Sequence, residues 1–217
     1  MRQSLSGALA ILAGLILVPA DSAMPNDRNT APPQATASLP HDHHGGMTIT
    51  ADPYADPSRV KAKFGKENPY QVGILPIDVS MSNETAQPLH VNLSTVQLVV
   101  RFPAGRQQYI DTLSIVEVAN AIAHPNGPAA PSQRRFPMGL PSSGDKKVDK
   151  LLDTLRPLSL DADIVPPMGA IHGFLFFDMS HDFTLVSRSS LYMPDVSTVP
   201  SNKPLIFFEV PLGAGSE

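Results

Sequence analysis

Three histidines and an aspartate stand together at His41, Asp42, His43 and His44, in a chain of 217 residues with seven histidines in all. Neutral imidazoles and a carboxylate are donors for borderline divalent ions, so the chemistry this tract suggests is binding of copper, nickel or zinc. The same composition describes a solvated polar linker that holds metal only as weakly as a short tag, because no outer shell orients the rings. A second grouping is His172, Asp178, His181 and Asp182. On adjacent strands of one hairpin these would converge into a two-histidine, carboxylate site. Asp178 and Asp182 also flank a turn-like stretch, where aspartate is common because its side chain bonds the local backbone.

Other catalytic classes lack their parts. Cysteine is absent, which removes a thiolate nucleophile, a disulfide framework and a cysteine metal site together. No Gly-x-Ser-x-Gly elbow is present, and Ser143-Gly144-Asp145 reads as a loop and helix start. The glycines are scattered, so no loop cradles phosphate. No catalytic residue is assigned and no resident cofactor is expected beyond a weakly held divalent metal. The formal net charge of −4 leaves no basic field to hold nucleic acid or an anionic membrane.

The elements that must position these residues begin after a leader. Arg2 precedes an apolar run from Leu5 to Val18, and Val18-Pro19-Ala20 supplies small residues for a peptidase. That order is a secretory signal, cut after Ala20 or, with Asp21 in an unfavourable place, after Ala23. The run is shorter than the roughly 20 residues of a membrane-spanning helix. Residues 1–20 are thus expected to be removed, leaving a periplasmic or secreted protein with no membrane insertion. Residues 21–46 have few large apolar side chains and read as a disordered Pro/His-rich tether.

From Met47 the pattern is that of strands. Residues 47–51 alternate as a short strand; Leu75, Ile77, Val79 and Met81 alternate with smaller or polar residues; Val96, Leu98, Val100 and Phe102 line one face of a third. Residues 57–64 suit a helical turn or two. Ser114 and Glu117 have the spacing of a capping box, which starts a helix reaching to about Ala123. A proline-rich loop follows to Gly144, and Val148, Leu151, Leu152 and Leu155 then mark the apolar stripe of a second helix that Pro157 ends. Residues 171–178 are a nearly continuous apolar run, so both faces of that strand are expected to be covered. Residues 178–182 read as a hairpin connection to 183–193. The last strand spans 205–212 with Ile206, Phe208, Val210 and Leu212 on one side. Tyr54, Phe64, Tyr70, Phe174, Phe176, Phe207 and Phe208 are either an aromatic strip or core, and the core reading is favoured because the chain has no tryptophan.

Short strands separated by turn residues, with 23 prolines and 42% apolar residues, imply a mainly β fold. The expected form is an immunoglobulin-like antiparallel β-sandwich over residues 47–213, with a short helical insert at about 105–157. Several motifs agree. Ala51-Asp-Pro-Tyr54, Phe64-Gly-Lys66, Gly73-Ile-Leu-Pro-Ile77, Asn83-Glu-Thr85, Asn92-Leu-Ser-Thr-Val-Gln-Leu98, Val165-Pro-Pro-Met-Gly169 and Gly173-Phe-Leu-Phe-Phe-Asp178 resemble a group of exported bacterial proteins of acidobacterial type. The resemblance implies export and an immunoglobulin-like sandwich and brings no activity with it. The function expected is a non-catalytic binding or scaffolding module with an envelope or secreted protein as partner. The alternative is a periplasmic metal-binding protein using His41, His43 and His44, joined by His172 and His181.

Overall fold

The computed structural model describes residues 39–125 and 145–213. The expected signal, residues 21–38 of the expected tether and most of the proline-rich loop lie outside them. Among the described residues the chain runs β1 (His41–His44), β2 (Met47–Pro53), α1 (Pro57–Phe64), β3 (Ile74–Asn83), β4 (Leu89–Val91), β5 (Gln97–Arg101), β6 (Gln107–Asp111), α2 (Ile115–Ala123), α3 (Lys146–Leu155), β7 (Ile164–Val165), β8 (Gly169–Asp178), β9 (Ser189–Met193), β10 (Val196–Thr198) and β11 (Phe208–Pro211). The strands form three antiparallel sheets, in the orders β1-β2-β3-β8, β10-β4-β7 and β11-β9-β5-β6.

Alternation along these strands builds the core. Met47 and Ile49 of β2, Ile77 and Val79 of β3, and Leu175 and Phe177 of β8 point inward from the first sheet. They meet Leu98, Leu191, Phe208 and Val210 of the third in one apolar cluster. The opposite face of the first sheet is divided. Its Ile74, Phe174 and Phe176 are covered by Val60 and Phe64 of α1, Val118 of α2 and Leu151 and Leu155 of α3. On its other half, near β1, Ser80, Ala170 and His172 are exposed among the described residues. The apolar run at 171–178 thus does have both faces covered along its second half, one by strands and one by helices.

Local signals act where they are strongest. Ser114 and Glu117 form the complete capping box of α2, and Asp145 caps α3 through the amides of Lys147 and Val148. Gly173 is required for a different reason. A Cβ at that position would lie 2.6 Å from the backbone nitrogen of Leu160, where the chain after α3 lies against β8 and donates from Leu160 N to Phe174 O.

Four expectations change. The tether does not reach residue 46, because His41–His44 are a strand paired in register with β2. Gly45 and Gly46, at φ of 59° and 76°, provide the two left-handed residues of a tight hairpin, and that turn brings a polar segment within reach of a ready ladder partner. The helical insert does not begin near 105, because Gln107–Asp111 pairs with β5 as an edge strand; helix starts at Ile115. Residues 178–182 are not a hairpin connection. β8 pairs with β3, and a 3-10 stretch, Phe183–Arg188, carries the chain across to β9 in another sheet. Finally, the last strand begins at Phe208, and Ile206 is 71% exposed rather than on its inner side.

Candidate functional site

Strand geometry decides what the histidine tract is able to do. Successive side chains on a strand point to opposite faces, so β1 divides its four polar residues into two pairs. His41 and His43 face outward, opposite Thr50 and Thr48 of β2. Asp42 and His44 face the other way, toward β11. There Asp42 Oδ2 accepts from Glu209 N at 2.8 Å, and His44 Nε2 donates to the Ile206 carbonyl at 3.1 Å. The His44 ring stacks on Phe208 with centroids 3.7 Å apart and 13° between planes. Its Nδ1 lies 3.3 Å from Asp42 Oδ1. This pair joins the edge of the first sheet to the edge of the third. The expected three-histidine set is therefore corrected: His44 is turned away from His41 and His43 and is already bonded on both ring nitrogens.

His172 and His181 do not converge either. His172 is exposed on β8 opposite Ser80. His181 occupies the exposed turn beyond β8 at φ 67°. Asp178 sits at the far end of the same strand, roughly 20 Å from His172 at 3.4 Å per residue. One of its oxygens accepts from Ser180 N at 2.8 Å, as turn chemistry requires. Among the described residues no group of three or more histidines and carboxylates is placed to share an ion.

Among the described residues three histidine–carboxylate contacts occur; two of them tie separate stretches of backbone and the third lies within β1. His124 Nε2 lies 2.7 Å from Asp145 Oδ2, linking the end of α2 to the cap of α3. That hydrogen bond, with those from Lys147 and Val148, lowers the Asp145 carboxyl below its ordinary range. His90 and Asp163 approach to 3.8 Å beside the β4–β7 pair, and His44 and Asp42 form the third. An open cleft of about 530 Å³ lies between Pro53, Phe183, Val186 and Leu212, and none of its lining side chains is titratable.

Electrostatics are perturbed on the outer face of the first sheet. Asp78 is paired across strands with Asp52, which is itself held by Arg59. Burial raises the Asp78 carboxyl above its ordinary range and Asp52 adds to the rise, while Lys63, His172 and Arg59 pull it back. Since the folded state binds this proton more tightly than the unfolded chain, ionisation opposes folding as pH rises through and above the ordinary carboxylate range. The variant Asp78→Asn is expected to be more stable than the parent at pH 7. Its advantage should shrink to nothing below about pH 3.5, under the ordinary aspartate value of about 3.9. Urea midpoints at the two pH values check this.

Among the described residues, the most exposed aromatic side chains lie at the outer face of the third sheet. Across it, Tyr109 of β6 pairs with Val99, and Tyr192 of β9 pairs with Gln97 and Glu209. Tyr109 is 55% exposed and Phe207 is 48% exposed. Phe207 packs on Tyr192 with centroids 5.5 Å apart. Between them Arg101 bonds Glu209 and donates to Ser190 Oγ at 2.6 Å, and Gln97 donates to Asp111 at 2.8 Å. Of the aromatics singled out in the sequence, Phe64, Phe174, Phe176 and Phe208 are buried as core, whereas Phe207 is not. Tyr109, Tyr192 and Arg101 carry no motif that marks them in the sequence. Period-two alternation in 97–101 and 189–193 held the clue to their face, but no local signal says that these strands are neighbours.

No protein-family pattern matches this sequence, and no curated protein or solved structure matches it significantly.

Proposed function

We propose that the protein is an exported, non-catalytic binding or scaffolding module, built on an immunoglobulin-like sandwich. It engages another envelope or secreted protein through the outer face of its third sheet. The observation that carries this reading is the grouping of Tyr109, Tyr192 and Phe207 around the Arg101–Glu209 pair. Tyrosine, phenylalanine and arginine are the residues that dominate protein interfaces, since they offer large contact area at small entropy cost and a polar handle at the edge. The meeting of the first and third sheets in one core supports the sandwich, and the leader-like N-terminus supports export. The His124–Asp145 contact links α2 to the cap of α3, and Asp42 and His44 are bonded to β11 and to Ile206, which favours structural roles for these pairs over turnover.

A photo-crosslinking residue placed at position 109 or 207, in cells that export the protein, tests it. The expected result is a discrete adduct with one envelope or secreted protein, strongly reduced by Arg101→Ala. A control at Lys66, exposed just beyond α1, should give none. Equal, diffuse labelling at all three positions would remove the basis of the proposal.

A further inference from the structure

We infer that His41 and His43 form a two-imidazole binding site for divalent copper on the outer face of β1, with nickel and zinc held less tightly. This site is independent of the third-sheet interface. Four observations carry it. First, the two residues are i and i+2 on one strand, so their Cα atoms are about 6.8 Å apart and their rings leave the sheet on the same side. Two imidazoles at that spacing can close on one ion at about 2.0–2.1 Å from each nitrogen. Second, each ring is oriented by an outer bond, the feature that a flexible tag lacks. His41 Nδ1 lies 3.1 Å from the Leu39 carbonyl, an acceptor only, so Nδ1 carries the hydrogen and Nε2 carries the lone pair. His43 Nδ1 lies 2.7 Å from Thr48 Oγ1, a hydroxyl that is able to accept the Nδ1 hydrogen in the same tautomer. Such contacts fix ring orientation and raise ligand basicity.

Third, both residues are exposed, and neither Nε2 has a protein partner among the described residues. Fourth, the competing donors are committed or distant. Asp42 and His44 point to the opposite side and are bonded to β11 and to Ile206. Asp52, the nearest carboxylate along the outer face of β2, is held by Arg59. His172 shares the row His41–Thr50–Ser80–His172, but three strand spacings of about 4.8 Å separate it from His41. All seven histidines of the chain lie within the described residues, so no further imidazole comes from the segments outside them. Imidazole nitrogens suit copper, nickel and zinc, and copper(II) stands highest in affinity among them. Two protein ligands leave the other positions to water, giving an exchangeable site rather than a buried structural one.

Calorimetric titration of the untagged full chain with copper(II) chloride, alongside nickel and zinc chlorides, tests the site. One copper per chain is expected, bound more tightly than nickel or zinc. His41→Ala and His43→Ala should each weaken copper binding at least tenfold. His44→Ala, His172→Ala and Tyr109→Ala should leave it within about twofold, so that failure here is separable from failure of the interface reading. The copper(II) paramagnetic resonance spectrum of the parent protein gives a readout that needs no variant, with coupling to two imidazole nitrogens expected. Copper affinity unchanged in both single variants, a loss in His172→Ala equal to that in His41→Ala, or coupling to a single nitrogen would each overturn the proposal.

Discussion

Phe176→Ala is expected to lower stability by about 3–5 kcal/mol, the range for removing a buried aromatic from a packed core. Phe176 is 1% exposed on the face of β8 that the helices cover. Its ring centroid lies 6.2 Å from that of Phe64 and 6.4 Å from that of Phe174, so truncation removes the ring shared by α1, the sheet and the helices beyond. The matched exposed variant, Phe207→Ala, should stay within about 0.5 kcal/mol of the parent, as surface substitutions usually do. Urea unfolding of both variants checks the pair. A small loss at Phe176 would mean that the helical layer does not depend on this contact. A large loss at Phe207 would mean that its ring holds the fold together and is not available to a partner.

The second large effect is expected at Asn83, where Asn83→Ala should lose roughly 3 kcal/mol, since each buried polar group left unpaired costs about 1–3 kcal/mol. Asn83 is 1% exposed. Its amide donates to Gln87 O at 2.8 Å and Pro166 O at 3.1 Å, and its Oδ1 accepts from Thr85 N at 2.9 Å and Thr85 Oγ1 at 2.7 Å. One side chain thereby ties the end of β3 to its own turn and to the chain entering β8. Asn83→Asp keeps the acceptor, with one O–H donor when protonated and none when ionised, so it should fall between the parent and alanine below the carboxylate range and approach alanine at neutral pH. Denaturant midpoints at both pH values separate loss of the donor from loss of volume.

These residues also mark where sequence reasoning stops. Asn83 is legible as a turn residue from its neighbours Glu84 and Thr85, but the acceptors at Pro166 and Gln87 include one that is 83 positions away. The capping box at Ser114 and Glu117 and the apolar stripe of α3 were legible because each is complete within a few residues. β1 was missed although Gly45-Gly46 is a hairpin signal. Composition suggested an unfolded tract, and the ladder that overrides composition comes from β2. The continuous chain at 172–182 suggests one hairpin, but the partner of β8 precedes it by nearly a hundred positions.

The sequence by itself determined the local states where a pattern is complete within a few residues: the alternation at 47–51 and 75–81, the starts of α2 and α3, which class of donor is present, and the lack of a thiol. Only the tertiary structure decided which strands are neighbours and to which side each histidine points. The physical reason is the two-residue period of a strand, under which a shift of one position turns every side chain to the opposite face. Short-range patterns set the period, but the phase is set by distant partners: Met47 and Ile49 must reach the core, and that requirement leaves His41 and His43 outside and brings Asp42 and His44 against β11.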